Sequence, residues 1–173
     1  MAHAHESPVD HVERELRLWV EDGRLHLNYR VQHSERSVLM QLHQMDANAD
    51  GVISDAECES FFAKQAEKIA ALLTLELDSQ PLKFSPAGIV QRDARLGQTF
   101  AFTTPLANLR PGRHPGSLVD NFSRAYPGPF RWLRAGEGSA KGIRVEPVVQ
   151  SKEQPTPLHP VWLSLKFEVV VPE

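Results

Sequence analysis

Two runs of strictly alternating residues, joined by a two-residue link, restrict this chain more than anything else in it. Leu16, Leu18 and Val20 alternate with Glu15, Arg17 and Trp19. Leu25, Leu27, Tyr29 and Val31 alternate with Arg24, His26, Asn28 and Arg30. Successive side chains on a strand point to opposite faces, so each run carries one apolar and one polar face. Asp22-Gly23 between them is a strong hairpin-turn signal. The pair reads as an antiparallel hairpin with one greasy face. Trp19 falls off that face, and the expectation is that it packs under the edge of a neighbouring element.

Further strands follow after a helical interruption. Thr74 to Asp78 reads as a strand, with a turn at Ser79-Gln80 before Pro81, and Leu82-Lys83-Phe84 resumes the alternation. Pro86 to Val90, Gln98 to Thr103, Ser117 to Phe122, Arg131 to Arg134, Ile143 to Glu146 and Trp162 to Val171 are the other candidates. Pro105, Pro111-Gly112 and Pro115-Gly116 make the stretch before Ser117 turn-rich, and Tyr126 to Phe130 is a proline-held loop. Lys152 to Pro160 is a polar, proline-rich connection, and residues 1–10 read as a flexible arm. Eight or nine short strands about 8–12 residues apart predict an antiparallel sandwich or barrel. With 173 residues, the chain has room for one such domain and one insertion. The class is therefore α+β: a single antiparallel β-sandwich over residues 1–173, interrupted between its second and third strands.

The interruption contains Asp46-Ala47-Asn48-Ala49-Asp50-Gly51-Val52-Ile53-Ser54-Asp55-Ala56-Glu57. Oxygen-bearing side chains stand at its positions 1, 3, 5, 9 and 12, with glycine at 6 and an aliphatic residue at 8. Calcium is a hard cation that takes about 6–8 oxygens, and three carboxylates here suit its charge. An acidic surface turn with chance spacing is the alternative. Upstream, Val38, Leu42 and Met45 recur at helical spacing with Leu39 beside them. Downstream, Cys58, Phe61, Phe62 and Ile69 share a helical face extended by Ala66, Leu72 and Leu73.

This loop with its flanks, residues 35–73, resembles the EF-hand calcium-binding family. The resemblance implies that Asp46, Asn48 and Asp50 give side-chain oxygens, that Val52 gives its carbonyl, and that Ser54 acts directly or through water. Glu57 closes the site with both oxygens. Gly51 takes the sharp turn, and Asp55 is left to cap the second helix. EF-hands usually come in pairs joined through the position-8 residue. No second loop is present, so Ile53 is expected to pack on another domain surface or on a second copy. The order of hairpin, single EF-hand, Thr-Leu-Glu-Leu-Asp and β-rich tail is also similar to extracytoplasmic domains of bacterial nickel/cobalt-transporter-like membrane proteins. That second likeness implies a domain facing the periplasm or cell exterior.

Composition bounds the function. Hydrophobic residues are 41%, charged residues 24%, and the net charge is −3, so neither a nucleic acid nor an anionic membrane is indicated as partner. No apolar run is long enough to span a bilayer, and Met1 to Pro8 has no signal-peptide character. Either a cytoplasmic protein or a segment of an exported one fits. The periplasmic or extracellular reading is favoured, because millimolar calcium there fills even a weak site. The expected partner is another protein or the membrane-embedded part of a longer chain.

Other candidates are weaker. His3, His5 and Glu6 offer nickel or copper ligands near the amino terminus, against the commoner reading of a solvated tail. They carry the alternative function, an accessory domain handling nickel, cobalt or copper for a transporter. His43 reads as a solvated helix residue. Tyr126, Phe130 and Trp132, with Arg124 and Arg131, could bind sugar or peptide, though such rings more often close a sandwich end. No Gly-x-Ser-x-Gly, phosphate-cradling loop or Cys/His metal spacing is present. Cys58 reads as a buried thiol, and no residue is assigned a catalytic role.

Overall fold

The computed structural model describes residues 12–93, 97–106, 109–124, 130–133, 143–150 and 163–173. The first hairpin forms as its alternation requires. Strand β1 (Glu13–Glu21) pairs antiparallel with β2 (Arg24–Gln32), in register from Glu13↔Gln32 to Glu21↔Arg24. Asp22 and Gly23 both take positive φ, 49° and 71°. That is the mirror-image turn whose twist matches two right-twisted strands.

Helices α1 (Glu35–Met45) and α2 (Asp55–Leu72) follow, then β3 (Leu73–Leu77), β4 (Gln80–Leu82), β5 (Ser85–Asp93), β6 (Gly97–Pro105) and β7 (Gly112–Asp120). A 3-10 turn (Asn121–Arg124) precedes β8 (Phe130–Leu133), β9 (Arg144–Gln150) and β10 (Leu163–Val171). The strands make two five-stranded sheets, ordered β5-β6-β2-β1-β8 and β4-β3-β7-β10-β9. Their inward residues form one core that includes Leu16, Leu27 and Phe102 from the first sheet and Leu75, Leu118 and Phe167 from the second.

Several expectations change in detail. Every described pairing is antiparallel except β1 with β8, which is parallel from Arg14↔Phe130 to Arg17↔Leu133. Strand β7 ends at Asp120, beside Arg14. The chain therefore reaches the free edge of β1 at the end where β1 begins, and β8 runs the same way. The second turn falls at Asp78-Ser79, with φ of 51° and 62°, one residue earlier than expected. Gly112 to Gly116 is strand, although its prolines and glycines suggest turns. Pro115 fits because its carbonyl accepts the Asp78 N–H at 2.8 Å. Its missing donor thus faces the β3–β4 turn and removes no rung from the β10 ladder.

Gly116 is there for space. A Cβ at this position would stand 2.5 Å from the Phe167 ring, its cross-strand partner on β10. Trp19 lies on the outer face, where it stacks on cross-strand His26 with ring centroids 5.1 Å apart. Its indole N–H donates to Glu21 at 3.2 Å. The ring is thus covered by its own hairpin partner.

One polar group crosses the core. Arg14 shares the inward phase of Leu16 and Leu18 and is 2% exposed; Asp120, facing it from β7, is 0% exposed. Arg14 Nε lies 3.2 Å from Asp120 Oδ2 and donates to the Tyr29 hydroxyl at 2.9 Å. Tyr29 donates in turn to Asp120 Oδ2 at 2.8 Å. The other Asp120 oxygen accepts the Phe122 N–H at 2.8 Å, and an Arg14 terminal nitrogen donates to the Val12 carbonyl. Burial, and then the Asp120 charge, hold the Tyr29 hydroxyl well above its ordinary pKa, so it stays a donor to the carboxylate.

Arg14→Met strands a buried carboxylate and should lower the unfolding free energy by about 3–5 kcal/mol. Tyr29→Phe keeps the ion pair and should cost only about 1–3 kcal/mol. Urea denaturation of both variants checks this, and equal losses would contradict the charge-pair account. Gly116→Ala should cost about 1–3 kcal/mol by overpacking, with part of the loss recovered when Phe167→Leu is added.

Candidate metal centre

The two helices of the insertion are anchored unequally. Helix α2 sends Phe61, Phe62, Ala66 and Ile69 into the core and lies against β5, β3 and the 3-10 turn. Phe62 meets Phe100 of β6 at 6.5 Å between ring centroids. Helix α1 buries only Ser37 and Met45. Leu42, expected to face inward, is exposed, as are Leu39 and Met40. A side-chain bond from Gln98 of β6 to Gln41, 3.0 Å long, ties α1 to the first sheet. Ser34 caps α1 by accepting the Ser37 N–H.

The loop between the helices is bonded to itself. Asp46 accepts N–H bonds from Asp50 at 3.1 Å and from Gly51 at 2.9 Å, one on each oxygen. The Asn48 side-chain oxygen, Oδ1, also accepts the Asp50 N–H, at 2.9 Å, and its side-chain Nδ2 donates to Asp50 Oδ2 at 3.0 Å. Asp50 Oδ1 accepts the Val52 N–H at 2.8 Å. Glu57 reaches back from α2, and its Oε1 accepts from Ala47 at 3.0 Å and Asn48 at 3.3 Å. Ala49 and Gly51 take positive φ, 58° and 81°, as the tight reversal needs; glycine meets this at the second without Cβ strain.

Ser54, not Asp55, caps α2. Its hydroxyl accepts the Glu57 N–H at 3.3 Å, while Glu57 Oε2 accepts the Ser54 N–H at 2.9 Å and its O–H at 2.7 Å. This reciprocal pair is a capping box. Its Ser-x-x-Glu spacing is plain in the chain. Asp55 instead lies in the first turn of α2, where an acid suits the helix dipole.

Of the six expected ligands, Asp46, Asn48, Asp50 and Glu57 are thus brought onto a few neighbouring N–H groups. Ser54 joins through Glu57. The Val52 side chain is exposed, as suits a residue expected to offer only its carbonyl. The donor set is all oxygen and fits a hard cation. Among the described residues, no group of three or more His, Cys, Asp and Glu side chains is gathered tightly enough to hold a metal ion; the loop carboxylates turn to N–H donors. The Ser54 N–H and hydroxyl, followed by the Asn48 and Ala47 N–H groups, hold the Glu57 carboxyl below the ordinary carboxylate range.

Ile53 packs, half-buried, on the core of its own chain. Cys58 is half-buried against the same core. His43 is exposed. His3, His5, Glu6 and His159 lie outside the described residues. Of the Tyr126, Phe130, Trp132, Arg124 and Arg131 group, only Arg131 has a described side chain, and it is exposed 3.7 Å from Glu15. Comparison with protein-family models, curated proteins and solved structures finds no match.

Ser54→Ala removes both the cap and the hydroxyl donor to Glu57. It should cost about 0.5–2 kcal/mol in unfolding free energy and raise the Glu57 carboxyl pKa toward its ordinary value. Since that pKa is depressed in the folded state, the Glu57 contribution is present above the ordinary value and lost as pH falls through the folded one. The stability difference between wild type and Ser54→Ala should therefore narrow in acid, which denaturation at pH 7 and pH 3 will show.

Proposed function

We propose that the helix–loop–helix of residues 35–73 is a single EF-hand, and that the protein is a calcium-stabilised structural or interaction module acting outside the cytosol. The observation that carries this reading is that Asp46, Asn48, Asp50 and Glu57 all accept N–H groups of one short loop, with Glu57 reaching back from the helix beyond it. Asp46, Asn48, Asp50, the Val52 carbonyl, Ser54 and Glu57 would hold the ion. A bound calcium would supply two positive charges to three mutually repelling carboxylates.

The unequal anchoring of the helices supports a stabilising role for such an ion. Asp46 lies at the end of the thinly attached α1, and Glu57 lies on the deeply seated α2. One ion held by both would fix α1 to the core through α2. That is a stabilising role, worth about 2.7 kcal/mol at a hundredfold excess of ion over Kd. The millimolar calcium found outside cells suits a lone site of modest affinity. No helix of the described residues is long and apolar enough to cross a membrane. The partner is proposed to be another protein, or membrane-embedded sequence of a longer native chain. No catalytic role is proposed.

Thermal unfolding in EDTA, then with calcium, magnesium or nickel added back, tests the reading. Calcium alone should raise the melting temperature by several degrees, and Glu57→Gln should weaken calcium binding at least about tenfold, since it removes a charged ligand. A shift with nickel and none with calcium would instead favour the histidine arm and a transition-metal accessory role.

A further inference from the structure

The imidazole of His114 is placed between two acceptors and no donor. Its Nδ1 stands 2.6 Å from Asp78 Oδ2, and its Nε2 stands 2.8 Å from the Arg110 carbonyl oxygen. A neutral imidazole has one N–H and one lone pair. It can satisfy one of these contacts and must turn a lone pair on the other. Only the imidazolium donates to both. The ring itself is mostly covered, with a side-chain exposure of 15%, while the Asp78 side chain is 44% exposed.

Strands β3 and β7 share a ladder from Leu73↔Asp120 to Leu77↔Gly116, and His114 ties the turn beyond that ladder and the segment ahead of β7 to the same strand. Asp78 is the first residue of the β3–β4 turn and sits at φ 51°, with Ser79 at 62°. Neither is glycine, so both pay the steric cost of the left-handed region. Strand β4 is the edge of the second sheet and pairs with β3 at three positions only, Leu75↔Leu82 to Leu77↔Gln80. So short an edge depends on its turn. The turn is fixed by the Asp78 N–H on the Pro115 carbonyl and by the Asp78 carboxylate on His114. Arg110 belongs to the segment that leads into β7.

We propose that His114 is a proton-dependent latch that fastens the β3–β4 edge hairpin and the 109–111 segment to β7. The charged groups around it are few among the described residues. Asp78 faces it from the β3–β4 turn. Arg110 offers its carbonyl, and its side chain is exposed. Val169, its cross-strand neighbour on β10, does not titrate. Arg113, on the opposite face of β7, is engaged by Glu168 and Glu146. The Arg110 carbonyl first, and then Asp78, raise the His114 pKa above its ordinary value.

The sign follows from that direction. A group whose pKa is raised on folding stabilises the fold fully below its unfolded value, about 6.5. The contribution is lost as pH rises through the folded value. Above it the ring keeps one bond, and the hairpin at the edge of the second sheet loosens. This device lies on strands apart from the 46–57 loop and does not depend on calcium.

Nitrogen NMR of the imidazole in the wild-type chain, titrated in EDTA, is the first test. The His114 midpoint should lie above 6.5, with both ring nitrogens protonated below it, and Asp78→Asn should lower that midpoint. The second test is the melting temperature of His114→Gln against wild type. The gap should be about 2–4 °C at pH 5.5 and should close about two pH units above the NMR midpoint. A midpoint at or below 6.5, or a gap that is the same at both pH values, overturns the latch. If His114→Gln does not fold, the wild-type titration and Asp78→Asn decide the matter alone.

Discussion

The architecture depends on a charge pair taken fully out of water. Arg14 and Asp120 come from different sheets and meet where neither is exposed. Desolvating both ions costs several kcal/mol each, and their attraction offsets this only if the remaining donors and acceptors are also satisfied. Tyr29 and the Phe122 N–H complete Asp120, and the Val12 carbonyl takes a further Arg14 donor. The fit is demanding in a way that apolar contacts are not. A shifted sheet would leave a bare charge in addition to a misfitted apolar core. Tyr29 lies on the central strand of one sheet and Asp120 on that of the other, so the network fixes how the two layers register.

Its position also explains how a β-structure accommodates a helical insertion. The chain leaves the first sheet three residues after Tyr29, at the end of β2, and α1 begins at Glu35. It returns at Leu73, the first residue of β3, which pairs with Asp120. Asn121 adds a bond to the Leu72 carbonyl and another to the Thr74 hydroxyl. Exit and return are therefore held at one end of the sandwich by groups bonded to the same buried acid or adjoining it. Between these fixed points α2 can close the side of the core, and the loop ahead of it can differ in composition without disturbing the strands.

The parts legible in the chain are those set by local pattern. Alternation and Asp22-Gly23 place the first hairpin, and the helix boundaries at Glu35 and Leu72 agree closely with the 3.6-residue period. What local pattern misses is polar residues in apolar phase. Arg14 keeps step with Leu16, Leu18 and Val20, and Asp120 keeps step with Leu118. Each reads as an exposed exception until the partner is known, and the partner is over a hundred residues away. Strand β7 misleads for a related reason. Gly116 and Pro115 look like a turn, but the Phe167 ring and the Asp78 N–H, both remote, make an extended segment the better arrangement. Leu39 and Leu42 err the other way, since helical spacing says that a face is apolar but not that anything covers it. For the loop, Ser54 and Glu57 carry two overlapping signals, a ligand pattern and a capping box, and the second decides which residue starts α2.

The two ends of the sandwich are fastened by different chemistry, and this bears on how the fold responds to its surroundings. At the end where β1 begins, the cation is a guanidinium, charged at any pH at which proteins fold, and its acid is sealed from solvent. At the opposite end, where β3 turns into β4, the cation is an imidazole whose charge is conditional, and its acid, Asp78, is partly exposed. The helical insertion is rooted at the first end. Proton loss at His114 would therefore act on the β4 edge while leaving the mounting of the 46–57 loop in place. An ion at that loop would stiffen α1 without reaching the His114 contacts. If an ion does bind at the insertion, its effect and that of pH at the edge hairpin would add independently, as expected for sites on different elements that share no partner among the described residues.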